Sequence, residues 1–154
     1  MAKISAEVIK KLREETGAGI MDTKQTLEEF DGDYEKAKEE LTKKGLAKAD
    51  KKVAERTTKD GLVYAYMHAN EKVGSLVSVA CETDFVARTE EFKKLCHELA
   101  LQVCTDNYKN VDEVLKDDYI KDPNKKVRDL IREAIAKLGE KIELKEFAKL
   151  DVRK

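Results

Sequence analysis

Gly61-Leu-Val-Tyr-Ala-Tyr-Met-His-Ala69 and Lys72-Val-Gly-Ser-Leu-Val-Ser-Val-Ala-Cys81 are the stretches whose reading decides the fold. Both are rich in β-branched and aromatic residues, which suit a pleated, half-buried surface, and only Asn70-Glu71 separates them. The pattern predicts a β-hairpin. Beyond it the spacing turns helical. From about Thr89 to Thr105, Phe92, Leu95, Cys96, Leu99 and Val103 recur on one side, and shorter helical pieces are expected at Val111–Lys116 and Asn124–Leu138. Lys141–Val152 alternates again. Ile142, Leu144, Ala148, Leu150 and Val152 are in phase, Glu146 interrupts their face, and Phe147 sits on the other. This reads as a third strand of a sheet with one face covered by helices. Hairpin, helices, then strand make an α+β layer.

Upstream of the hairpin the chain reads as helices alone. Ser5 is placed to cap a helix with Val8, Ile9 and Leu12 at helical spacing, ending at Thr16-Gly17-Ala18-Gly19. A second helix carries Ile20, Thr23, Leu27 and Phe30 on one side and stops at Asp31-Gly32-Asp33. Asp33 then caps a third, with Tyr34, Ala37 and Leu41 as its buried stripe. Such a bundle is marginal alone but large enough to dock on a partner. Leu46 to Arg56 reads as a basic helical linker. The expected division is residues 1–55, a three-helix bundle with its linker, and residues 56–154, a small antiparallel three-stranded sheet covered by helices.

Composition excludes several classes of function. Basic and acidic residues number 31 and 32, a balance that argues against a dedicated nucleic-acid binder. One local excess, seven basic against two acidic residues from Lys43 to Lys59, reads as a solvated helix face or as a contact for RNA or an acidic partner. The three cysteines, Cys81, Cys96 and Cys104, lack CxxC spacing and suit a reducing cytoplasm. No apolar run has the length of a membrane span, and Met1–Ser5 leads into amphipathic helix without a signal core, so a cytoplasmic location is expected. Catalysis is poorly supported. The two histidines are His68 and His97, and Cys96 and His97, adjacent on a helix, point about 100° apart and do not share one coordination sphere. Neither an enzymatic role nor a cofactor nor a bound metal is expected.

Cys81-Glu82-Thr83-Asp84-Phe85-Val86-Ala87-Arg88 lies between the second strand and the long helix, where a strand-to-helix turn holds side chains rigidly. The residues alone leave two readings. Phe85 packs in the core with Asp84 starting the next helical turn, or Phe85 is an apolar wedge offered to a partner beside the charge of Asp84.

Thr83-Asp84-Phe85-Val86-Ala87 resembles the most characteristic motif of bacterial elongation factor Ts, a family of exchange factors for elongation factor Tu. Leu12-Arg-Glu-Glu-Thr-Gly-Ala-Gly-Ile-Met-Asp22 is similar to the family's other signature. Asp31-Gly32-Asp33, Leu46 to Lys52 and Leu138-Gly139-Glu140-Lys141-Ile142 resemble further segments in the same order. Ile20 stands where many members carry methionine, and Arg88 replaces a common lysine. Long members hold two core subdomains and a coiled-coil insertion, whereas this chain has room for one core unit and looks like the short form. The resemblance implies that Phe85 wedges between helices of the GTPase near its metal, within a magnesium-dislodging segment that includes Thr83, Asp84 and Val86. It implies that Lys10, Arg13, Ile20 and Met21 dock elsewhere on the nucleotide domain, and that two copies assemble into a homodimer. Neither a membrane nor direct nucleic-acid contact is expected. The bundle also resembles ubiquitin-associated folds, which leaves a peptide-binding adaptor as a rival, with a ribosome- or RNA-associated protein as a third reading. Neither rival accounts for Thr83–Ala87.

Overall fold

The structure is a computed structural model that describes residues 4–154. Helices α1 (Ala6–Thr16), α2 (Ile20–Glu29) and α3 (Tyr34–Glu55) lead into strands β1 (Asp60–Met67) and β2 (Val73–Cys81). Then follow α4 (Asp84–Ala87), α5 (Glu90–Thr105), α6 (Val111–Lys116), β3 (Asp118–Tyr119), β4 (Asp122–Lys126), α7 (Val127–Leu138) and β5 (Glu143–Asp151). The architecture is α+β, with an antiparallel sheet in the order β1-β2-β5.

Short polar side chains set the helix starts, each accepting from an orphan amide of the first turn. Ser5 caps α1 through the amide of Val8 (3.2 Å), Asp33 caps α3 through Lys36 (3.1 Å), and Thr89 caps α5 through Phe92 (3.2 Å). Leu12, Leu27, Ala37 and Leu41 close the bundle core, with Val8, Ile9, Phe30 and Tyr34 around it. Ile20 departs from the expected stripe. It is exposed, because Thr23 and Leu27 already fill the side of α2 that faces α1 and α3.

The third helix and the expected linker are one helix of 22 residues. Its second half belongs to the larger core, where Ala49 is buried, and it runs along α7. Asp50 accepts two bonds from the Arg132 guanidinium, at 2.8 and 2.7 Å. The bundle is therefore seated on the sheet unit. Gly17 sharpens the fit: it ends α1 in the left-handed region, and a Cβ there would meet the Lys137 backbone at 2.7 Å.

One face of the sheet carries Val77, Val79 and Cys81 against Phe92, Leu95, Cys96 and Leu99 of α5 and Ile131 and Ile135 of α7. Ser75 also faces this layer and donates to the Ala100 carbonyl at 2.6 Å. Among the described residues no helix covers the opposite face, and Val63, Met67, Leu76 and Leu150 stand exposed on it. The single phase expected for the third strand does not hold. Leu144 pairs with Val79, but Glu146 pairs with Ser78, so Lys145 is an extra residue in a bulge. Before the bulge Ile142 and Leu144 are buried. After it Phe147 turns toward the core, and Ala148 and Leu150 turn to the open face.

The helix expected from Asn124 begins at Val127 instead. Asp122–Lys126 pairs with Asp118–Tyr119 as a small second hairpin, and Pro123 cannot supply an amide to a helix. Tyr119 and Lys121 fasten this hairpin to α5, both donating to Glu98, at 2.6 and 2.7 Å.

Candidate functional site

Strand β2 ends at the buried Cys81, and the next residues form a braced turn. The Cys81 thiol donates to the Thr83 carbonyl at 3.1 Å. Thr83 caps α4, its hydroxyl accepting from the Val86 amide at 3.3 Å and donating to Glu140 Oε2 at 2.7 Å. Glu140 Oε1 accepts from the amides of Glu82 and Thr83, at 3.1 and 3.0 Å. Glu82 in turn accepts from the Lys141 amide (2.7 Å) and the Arg56 guanidinium (3.3 Å). Burial works against charge on Glu82, but these bonds outweigh it and hold its carboxyl below the usual range.

This bracing sorts the five motif residues. Val86 and Ala87 point inward, at 6% and 3% exposure, and key α4 into the core. Phe85 points outward and is 79% exposed, so it does not pack in the core. Asp84 is exposed and pairs with Arg88 at 3.0 Å. The turn thus offers Phe85 and Asp84, while Thr83 and Val86 anchor them.

The second set of residues lies on the bundle. Lys10 and Arg13 are exposed on α1, and Ile20 and Met21 are exposed on the first turn of α2, Met21 at 75%. Both sets are carried by one end of α7. The loop between α1 and α2 rests on Ala136 and Lys137, while Glu140, two residues past the helix, holds Thr83. A crevice of about 430 Å³ lies along this joint, lined by Gly17, Gly19 and Asp22 on one side and by Lys52, Lys137 and Gly139 on the other.

Sequence reasoning missed Glu82, Glu140 and Arg56. Glu140 lies within a segment singled out by resemblance, but no local spacing rule links it to Thr83, 57 positions away. The basic run over Lys43–Lys59 is largely engaged by carboxylates. Lys43 pairs with Glu39, Lys44 with Glu29 and Glu40, Lys48 with Asp22, and Arg56 with Glu82. Burial pushes the Cys96 thiol up to about 12, which leaves it a packed side chain and a poor nucleophile. The neighbouring His97 has its Nδ1 3.2 Å from the Tyr64 hydroxyl. Among the described residues, no group of three or more His, Cys, Asp or Glu is placed to hold a metal, and no helix is long and apolar enough to cross a membrane.

Comparison with known proteins agrees with the motif. Residues 82–154 match the family described as Elongation factor TS. The chain is 48% identical over 153 residues to elongation factor Ts of Aquifex aeolicus, covering 96% of this chain and 52% of that protein. Against elongation factor Ts of Clostridium botulinum it is 48% identical over 151 residues, covering 98% of this chain and 49% of the relative. Against elongation factor Ts of Thermotoga sp. it is 42% identical over 193 positions, covering 97% of this chain and 96% of the relative. The chain thus spans about half the length of the first two relatives and nearly all of the third. The 193-position alignment exceeds the 154 residues here, so the Thermotoga protein holds internal residues without a counterpart in this chain. With a braced, outward Phe85 near the start of the region that matches the family, the chain belongs to the elongation factor Ts family, whose members are nucleotide exchange factors of translation elongation rather than enzymes.

Proposed function

We propose that this chain binds GDP-bound elongation factor Tu and speeds nucleotide release by driving Phe85 between helices beside the metal site. The observation that carries this reading is a phenylalanine 79% exposed on a turn whose next two residues are buried. Leaving a large apolar ring in water is unfavourable, and the bracing keeps it from folding back. A GTPase holds its nucleotide through phosphates and magnesium together, so displacing the metal loosens both. By linkage, a partner that prefers the disrupted site weakens nucleotide binding by the same factor.

In this scheme Thr83, Asp84, Phe85 and Val86 form the magnesium-dislodging segment. Phe85 enters, Asp84 brings charge alongside, and Thr83 and Val86 fix the turn. Lys10, Arg13, Ile20 and Met21 dock on another part of the nucleotide domain, with the exposed Met21 as the apolar anchor. Residues 1–55 serve as the docking unit and residues 56–154 as the unit carrying the wedge. The work is cytoplasmic and requires neither a resident cofactor nor nucleic acid. The open face of the sheet supports a homodimer: a groove of about 640 Å³ runs across it, lined by Ala65, Met67, Leu76, Ala148, Leu150 and Val152.

Release of a fluorescent GDP analogue from elongation factor Tu, with and without this protein, tests the reading. Fast release by the wild type that is lost in Phe85→Ala is the expected result. Slow release with the wild type would reject it.

A further inference from the structure

Helix α4 has four residues, too few to hold its own direction, so the angle of Phe85 is set by what grips the ends of the turn. That grip converges on Glu140. One carboxylate accepts from two backbone amides through Oε1 and orients the capping hydroxyl of Thr83 through Oε2. A reciprocal bond runs back from the Lys141 amide to Glu82. Arg56, at the end of α3, donates to Glu82 and to the Gly139 carbonyl, each at 3.3 Å, and Lys141 Nζ returns to the Arg56 carbonyl at 3.0 Å. The end of α3, the entry to α4 and the turn after α7 are thereby tied in one knot.

We infer that Glu140 is a positioning residue for Phe85, fixing the wedge relative to the docking surface on α2. The inference rests on the exchange-factor reading above. Both surfaces hang from the same end of α7, through Gly17 on Lys137 and through Glu140 on Thr83. A partner held at two points needs their separation fixed, and a misplacement of about 1 Å is able to cost on the order of a hundredfold in rate. Removing the Glu140 carboxylate leaves the bundle surface unchanged and frees α4 to swing. The maximal rate of release then falls more than the apparent affinity.

The test compares Glu140→Ala with Glu140→Gln in nucleotide release from elongation factor Tu, titrated to separate maximal rate from half-saturating concentration. Glutamine keeps a carbonyl oxygen for the two amides and is expected to stay within about threefold of wild type. Alanine is expected to lose about tenfold in maximal rate, with half-saturation shifted less than about twofold. In a Phe85→Ala background Glu140→Ala should add nothing, because it acts through that ring. Amide hydrogen exchange over residues 82–88 should quicken in Glu140→Ala and stay near wild type in Glu140→Gln. A wild-type rate in Glu140→Ala, a loss confined to half-saturation, or full additivity with Phe85→Ala overturns the inference. Unchanged amide protection also overturns it, and that readout needs no exchange activity. A wild type that releases no nucleotide sinks the exchange reading, and the role of Glu140 toward a GTPase with it, while the amide data still show whether it holds the turn. Should circular dichroism find Glu140→Ala unfolded, Glu140→Asp, one methylene too short to reach, takes its place with the same expected results.

Discussion

Phe85 and Val86 are adjacent in sequence and opposite in environment, one 79% exposed and the other 6%. Truncating each should therefore separate stability from activity. Phe85→Ala removes a ring that touches little of its own protein, so the unfolding free energy should stay within about 0.5 kcal/mol of wild type. Binding to elongation factor Tu should weaken by about 2–4 kcal/mol if the ring is a desolvated anchor. Val86→Ala instead costs roughly 1–3 kcal/mol of stability through a cavity beneath α4, and weakens binding only through the loosened turn that carries Phe85. Urea denaturation beside titration calorimetry reads both quantities. A Phe85→Ala variant as unstable as Val86→Ala would mean that the ring packs on its own core. The motif was legible as a motif from its five residues. Which way Phe85 pointed was not, since a strand-to-helix turn has no simple period, and the direction depends on Glu140, far away in sequence.

At the scale of secondary-structure elements, the hairpin of β3 and β4 is one piece whose attachment should depend on pH. Glu98 is nearly buried and accepts from the Tyr119 hydroxyl and from Lys121. Burial disfavours its charge, yet the bonds from Lys121 and Tyr119 prevail, and its carboxyl lies below the ordinary 4.5. A carboxylate with a depressed folded value stabilises the fold above its unfolded value, and that contribution fades as pH falls through the folded one. Wild type should therefore lose more stability than Glu98→Gln between about pH 6 and about pH 3.5. Denaturant midpoints at the two pH values measure the difference. Parallel curves would remove Glu98 from the account. The last residues of the hairpin, Asn124–Lys126, read in sequence as the start of a helix, and lysines do suit helical propensity. The pairing of β4 with Asp118–Tyr119 and the hold of α5 on Tyr119 are tertiary, and they prevail over a weak local preference.

Across the whole molecule, two features connect the parts. The first is the seat of the bundle on α7. Alanine at Gly17 would have to adopt φ of +70° with its Cβ 2.7 Å from the Lys137 backbone. Left-handed backbone costs roughly 1–2 kcal/mol at a residue with a Cβ, and the clash adds to it. Gly17→Ala should lower stability and quicken amide exchange at the ends of α1 and α2, visible by mass spectrometry. Unaltered exchange there would show that the bundle is held without this contact. The second feature is the open sheet face. Leu76 sits at its centre on the middle strand, 47% exposed, so a charge there is tolerated in water but not beneath a second copy. Leu76→Glu should keep the fold and shift a dimer to monomer by analytical ultracentrifugation. A wild type that sediments as a monomer at high concentration, or a Leu76→Glu variant that still dimerises, rules out this face as the contact.

Some of this protein was fixed by the sequence alone. The cap residues Ser5, Asp33 and Thr89 set helix starts through bonds within one turn, and the hairpin strands follow from a run of pleat-forming residues. These are local interactions, so local patterns reveal them. Family membership was legible for the same reason, in short motifs such as Thr83–Ala87. The tertiary structure decided the rest. A single extra residue, Lys145, reverses which side chains of β5 face the core, because alternation counts pairs rather than positions. One helix joins the bundle to the sheet unit because Ala49 is buried in one core while Leu41 is buried in the other. Phe85 faces water because Glu140 and Val86 hold its turn from opposite sides. In each case the deciding contact joins residues distant in sequence, and only the folded chain brings them together.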